Sequence, residues 1–181
     1  MSVETIGSMR IDKHKANKGA AFVDYVINLS QTNKGLRASL TRADNPATEY
    51  QSWEVLAGFH INLEYENQRL PYATIGAAIA RSKTEKNGNL SIGQAIARCY
   101  EDGNASDQAK AKLRRLLSCE TVAEACRIIR PLLRLAESRG ATIDYVALLN
   151  DLLWFGHADS QTRIKAHWAQ SFYGRKAAEE E

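Results

Sequence analysis

Thr121-Val122-Ala123-Glu124-Ala125-Cys126-Arg127-Ile128-Ile129-Arg130-Pro131-Leu132-Leu133-Arg134-Leu135-Ala136 is the stretch whose reading decides the fold. Threonine followed three residues later by glutamate is a capping box, in which hydroxyl and carboxylate each satisfy an otherwise orphan backbone N–H. Val122, Ala125, Ile129, Leu132, Leu133 and Ala136 then recur at about 100° per residue, the signature of a helix with one apolar face. Arg127, Arg130 and Arg134 fall on the opposite side. Pro131 lacks an N–H and crowds the preceding turn, so a bend is expected there, and Gly140 is the stop signal.

The same periodicity extends in both directions, and no alternating strand pattern with a hairpin turn is found. The expected fold is all-α, a two-lobed helical bundle of about eight helices. Residues 1–17 are polar and read as a mobile N-terminal arm, 18–86 as an N-terminal lobe, 87–174 as a C-terminal lobe and 175–181 as a frayed tail. Within the first lobe, helices are predicted over about 18–31 and 47–66, with a short one possible over 34–42 and another starting at Pro71. The loop Thr84–Asn89 has surface-turn composition and is taken as the boundary. In the second lobe, Ser91, Ser106, Thr121, Thr142 and Ser160 are the expected N-caps.

At 181 residues the chain can bury a sizeable core without disulfide or metal. Cys99, Cys119 and Cys126 are odd in number and sit in apolar helical patterns, so they read as reduced core residues. No apolar run reaches the length of a membrane span and the N-terminus lacks a secretory layout, so a cytoplasmic address is expected. Trp53, Trp154, Phe155, Trp168, Phe172 and Tyr173 lie in apolar stripes and read as core rather than as base-stacking groups.

No phosphate-binding glycine loop, zinc-binding helix motif or nucleophile elbow is present, and His157 with Asp159 on one loop makes a poor metal or catalytic set. No cofactor and no enzymatic activity are expected. Charge is more informative than chemistry. Net charge is only +3, yet residues 81–139 hold twelve Lys plus Arg against seven Asp plus Glu, while 140–181 hold four against six. Lys110, Lys112, Arg114 and Arg115 have no acid between them, and Arg130 has no acidic neighbour one turn away. Two such helices packed as a hairpin offer a track of cations that a phosphate backbone can follow.

From about residue 50 to Tyr173 the chain resembles the CasB family, the small subunit of the type I-E CRISPR surveillance complex, Cascade. The resemblance is carried by residues 90–97 (Leu90 to Ala97), Leu113-Arg114-Arg115-Leu116-Leu117-Ser118, Ile129-Arg130-Pro131-Leu132-Leu133-Arg134-Leu135, residues 149–156 (Leu149 to Gly156) and Trp168-Ala169-Gln170-Ser171-Phe172-Tyr173. Gln170-Ser171 departs from it, at a place where the family is often acidic. What the resemblance implies is a two-lobed, all-α, non-catalytic subunit present in two copies beside the other Cascade subunits and the guide RNA complex. Its basic surface would hold the target and displaced DNA strands of the R-loop. Carried over by motif, the binding residues are Arg114, Arg115, Arg130 and Arg134. Charge pattern adds Arg37, Arg42, Arg81, Lys86, Lys110 and Arg127. The alternative is a purely structural scaffold whose basic face meets acidic protein neighbours.

Overall fold

The computed structural model describes residues 3–174, with side chains described from residue 18 onward. Among them are nine α-helices and no strand. They are α1 (Val3–Thr32), α2 (Lys34–Thr41), α3 (Trp53–Gly58), α4 (Glu66–Ser82), α5 (Ile92–Arg98), α6 (Asp107–Leu117), α7 (Val122–Ser138), α8 (Tyr145–Trp154) and α9 (Ala158–Tyr173). Three 3-10 turns, Arg42–Asp44, Glu49–Ser52 and Gly103–Ala105, fill connections.

Helix α4 is the axis. Every residue from Leu70 to Ala80 is buried, and α1, α2, α7 and α8 pack around it. A run with no polar face can persist as a helix only if it is enclosed on all sides. A second group forms where α5 lies against α6 and α9. There Gly93 allows the closest approach, because an added Cβ would sit 2.2 Å from the Trp168 carbonyl oxygen. Trp168 is buried beneath that contact, stacks on Phe155 at 5.5 Å between centroids and donates its indole N–H to Asp151 at 2.7 Å. Burial raises the Asp151 carboxyl above its ordinary range, and the indole bond opposes that rise.

The buried side chains on both sides of the 84–89 loop belong to one cluster. In space this loop, expected as a boundary, is sewn to the start of α8. Leu90 and Ile143 form a parallel bridge, the Gly88 and Leu90 N–H groups donate to the Ile143 and Thr142 carbonyls, and Asn87 accepts the Tyr145 N–H at 2.8 Å. Asn87 also donates to Asp144 at 2.7 Å.

Several expected boundaries move. Helix α1 begins at Val3, so helical backbone occupies most of the segment read as an arm, whose side chains lie outside the described residues together with the 175–181 tail. The helix expected over 47–66 is broken. After the short α3 the chain turns through Phe59 and His60, the latter at φ 58°, and bends again at 63–64, where the Glu64 N–H donates to the Asn62 side chain, before Tyr65. Helix α4 starts five residues before Pro71, which lies inside it. Asp144, not Thr142, caps α8, and α9 starts after His157, two residues before Ser160. Ser91, Ser106 and Thr121 cap as expected, the first and last as full capping boxes.

The three cysteines are buried and unbridged, and burial pushes the Cys126 thiol up to about 12. Phe155, Trp168 and Phe172 are core residues as read. Trp53 and Tyr173 are not, since both keep a large part of the ring in solvent.

Candidate nucleic-acid interface

Ser106 accepts the Ala109 N–H and starts α6, whose Ala109, Leu113 and Leu116 turn inward. That leaves Arg114 and Arg115 exposed, while Lys110, half-buried, reaches Asp107 at 3.8 Å. After the 118–121 turn, the Thr121–Glu124 box starts α7 with its apolar stripe buried as the periodicity predicts. Arg127 is therefore exposed, one turn into the helix. Among the described residues, Arg114, Arg115 and Arg127 make no ion pair. Burial raises the Cys119 thiol and the Glu124 carboxylate adds to the rise, while Lys165, Arg127 and Arg115 lower it. Three cations and one carboxylate therefore act on the same turn.

Lys165 comes from α9 and escaped the sequence reading. Its ammonium pairs with Glu120 at 3.0 Å and lies 5.7 Å from the Phe155 ring centroid. No local pattern places it there, because only the packing of α9 on α6 brings it to the hairpin. The glutamates of the turn are engaged as well. Glu124 accepts the Glu120 and Thr121 N–H groups, and these bonds hold its carboxyl below the usual range.

The other half of the arginine row points to carboxylates. Arg134 sets Nε and Nη2 at 2.9 and 2.7 Å from one oxygen of Asp44, although its side chain is 58% exposed. Arg81 on α4 joins the same oxygen and also bonds Glu137 at 2.8 Å. Arg130, only 11% exposed, lies 4.0 Å from Glu49, which is held at 2.7 Å by Arg69. Its Nε and Nη2 have no hydrogen-bond partner. The expectation that Arg127, Arg130 and Arg134 present one continuous face thus needs correction. Asp44, on the 3-10 turn packed against α4, and Glu49, on the next 3-10 turn, claim the third and second members of that row.

The remaining predicted residues lie on N-terminal elements. Arg37 donates to the Ser30 carbonyl at 3.3 Å, Arg42 is exposed and donates to Gln51 at 2.6 Å, and Lys86 is exposed on the 84–89 loop. The described residues hold no group of three or more His, Cys, Asp or Glu placed for a metal ion, and no described helix is long and apolar enough to cross a membrane.

A family model described as CRISPR-associated protein Cse2 matches residues 36–173. A "CRISPR-associated protein Cse2" of Thermus thermophilus is 33% identical over 98 residues, a stretch covering 53% of this chain and 54% of that relative, so the match spans about half the length of each. Among solved structures, a Cse2-family protein from Thermus thermophilus superposes with a TM-score of 0.71 at 20% identity, over 87% of this chain and 98% of that one. A chain of a CRISPR RNA-guided surveillance complex gives 0.68 at 20% identity, over 87% and 92%. CasB from Thermobifida fusca gives 0.67 at 15% identity, over 86% and 97%.

Proposed function

Since this chain belongs to the CRISPR-associated Cse2 family, the type I-E small subunit also called CasB, we propose that it is a non-catalytic subunit of an RNA-guided surveillance complex. In this reading it steadies the opened target by sequence-independent contacts with the phosphates of target and displaced strands. The observation that carries the proposal is the set of three exposed guanidiniums, Arg114, Arg115 and Arg127, none of which makes an ion pair among the described residues, although Glu124 acts electrostatically on Arg127. Lys110 and Lys165 extend the set along α6 and α9. Arg37, Arg42, Lys86 and the solvent-facing edge of Arg134 are secondary contacts. Arg81 and Arg130 brace the fold.

The physics asks little of each contact. Replacing DNA pairs by guide pairs is nearly balanced in free energy, so small protein terms decide how much open complex exists. Three phosphate contacts at about 0.5 to 1 kcal/mol each shift that population roughly 10- to 150-fold. Contacts of this kind read charge and not bases, as a subunit that must serve any guide requires.

The test is Arg114→Ala/Arg115→Ala/Arg127→Ala in the assembled complex, with R-loop formation measured across a salt series. Open complex is expected to fall by the factor above, and the salt slope by roughly 0.7 to 0.9 for each lost contact. Unchanged affinity and slope reject the reading. Photocrosslinking of labelled displaced strand separates it from the scaffold alternative, which expects no crosslinks to residues 110–134.

A further inference from the structure

Between Arg42 and Arg69 the chain carries no lysine or arginine but five carboxylates, Asp44, Glu49, Glu54, Glu64 and Glu66. The first two face inward onto arginines, so Glu54, Glu64 and Glu66 are the ones that meet solvent. The same segment exposes three large rings, Tyr50 at 60%, Trp53 at 39% and Tyr65 at 55%. A shared piece of structure draws rings and acids together. Tyr50 and Trp53 are three residues apart where the Glu49–Ser52 turn runs into α3, a spacing that puts their side chains on one side. The Arg69 guanidinium lies 5.9 Å from the Trp53 centroid while its Nη1 bonds the Leu63 carbonyl and its backbone N–H bonds the Tyr65 carbonyl. The Arg69 side chain therefore ties Trp53 to the Leu63 carbonyl, next in the chain to Glu64, Tyr65 and Glu66.

Exposed Trp and Tyr in a cluster mark a contact surface, because such rings give much binding area for little lost rotamer freedom. Charge says what the surface contacts. Arg69 is neutralised by Glu49, and the exposed Arg42 at the edge of the segment is held on Gln51 at 2.6 Å, so an approaching phosphate would meet three carboxylates against one such cation. An arginine or lysine would find the opposite, ring faces to lie on and carboxylates to pair with. We propose that this aromatic, acidic face docks a cation-bearing segment of a different protein within the assembly. The inference rests on the function proposed above, since that reading places this chain among the other proteins of an assembly. The face is also placed apart from the basic edge at α6. The Glu49–Ser52 turn and α3 pack on α2 and α4, whereas α6 packs on α5, α7 and α9.

Ala57, exposed one turn beyond Trp53, can carry a benzoylphenylalanine photocrosslinker without removing any ring or acid. In the complex reconstituted from its own subunits and guide RNA, irradiation is expected to join position 57 to a Lys- or Arg-bearing peptide of another protein. Trp53→Ala, or Glu54→Lys/Glu64→Lys/Glu66→Lys, is expected to lower the occupancy of this subunit at limiting concentration by about tenfold or more, with an unchanged melting temperature of the isolated subunit. Crosslinks to DNA or RNA, to a second copy, to an acidic peptide or to nothing overturn the proposal, as does full occupancy of both variants. If the subunit joins the complex but position 57 fails this test, only the docking inference falls. If the unaltered protein does not join the complex at all, the functional reading falls and takes this one with it.

Discussion

The two ends of α7 put the same side chain to opposite uses. Near its C-terminus, Arg130 and Arg134 are drawn to Glu49 and Asp44, and Arg81 on the neighbouring α4 shares the second of these. Near its N-terminus, Arg127 faces solvent with no ion pair among the described residues, with Glu124 acting on it electrostatically. The helix itself does not make this difference. What packs above it does, because the 3-10 turns bring acids over the far end, while Glu120 of the 118–121 turn is engaged by Lys165 and Glu124 in the first turn of α7 by backbone donors. A guanidinium becomes a strut or a ligand-binding group according to whether a carboxylate reaches it first.

The sharpest way to break this contrast is Glu49→Ala, which strips Arg69 and the nearly buried Arg130 of their counter-charge. We expect a loss of about 3 to 5 kcal/mol in denaturant unfolding, and a loss under about 1 kcal/mol would show that Arg130 is no strut. Asp44→Ala comes next at about 2 kcal/mol, less because Arg134 is partly solvated and Arg81 keeps Glu137. Thr121→Ala removes the cap that orients the other end and should cost about 1 kcal/mol in the same measurement. Arg114→Ala, Arg115→Ala and Arg127→Ala should each leave stability within about 0.5 kcal/mol while weakening R-loop formation, the reverse of the Glu49 result.

The smallest effect is one of pH. The Glu124 carboxyl is held below its ordinary value in the folded protein, so folding favours its charged form. Its contribution is complete above the unfolded value, about 4.3, and disappears as pH falls through the lower folded value. Glu124→Gln should lack that acid-side loss, and identical thermal melts of the two proteins from pH 5 downward would contradict it.

How much of this could be read from sequence follows the range of the interactions involved. Caps and stripes are local, so Ser91, Ser106, Thr121 and the buried face of α7 were legible. The apolar run from Val55 to Ile61 looked like part of one long helix because burial and periodicity agree there, yet His60 adopts a left-handed conformation that no local signal announces. Thr142 and Asp144 are both competent caps, and the choice between them is made by Asn87, 57 residues upstream. The site divided on the same principle. That α7 carries arginines opposite its apolar stripe was legible, whereas Asp44, 90 residues before Arg134, and Lys165 on α9 are brought in only by tertiary packing. An aromatic on an apolar stripe is ordinarily buried, so the sequence points Trp53 to the core, whereas in the structure it is the exposed first residue of α3.

The bridge between Leu90 and Ile143 has a mechanical consequence. With Asn87 fastened to both Asp144 and the Tyr145 amide, the connector after α4 cannot act as a swivel. Tension from a strand gripped at the α6–α7 bend would pass through α7 and α8 into α4 and spread across the whole protein, so a tug at one corner would displace the body instead of bending it.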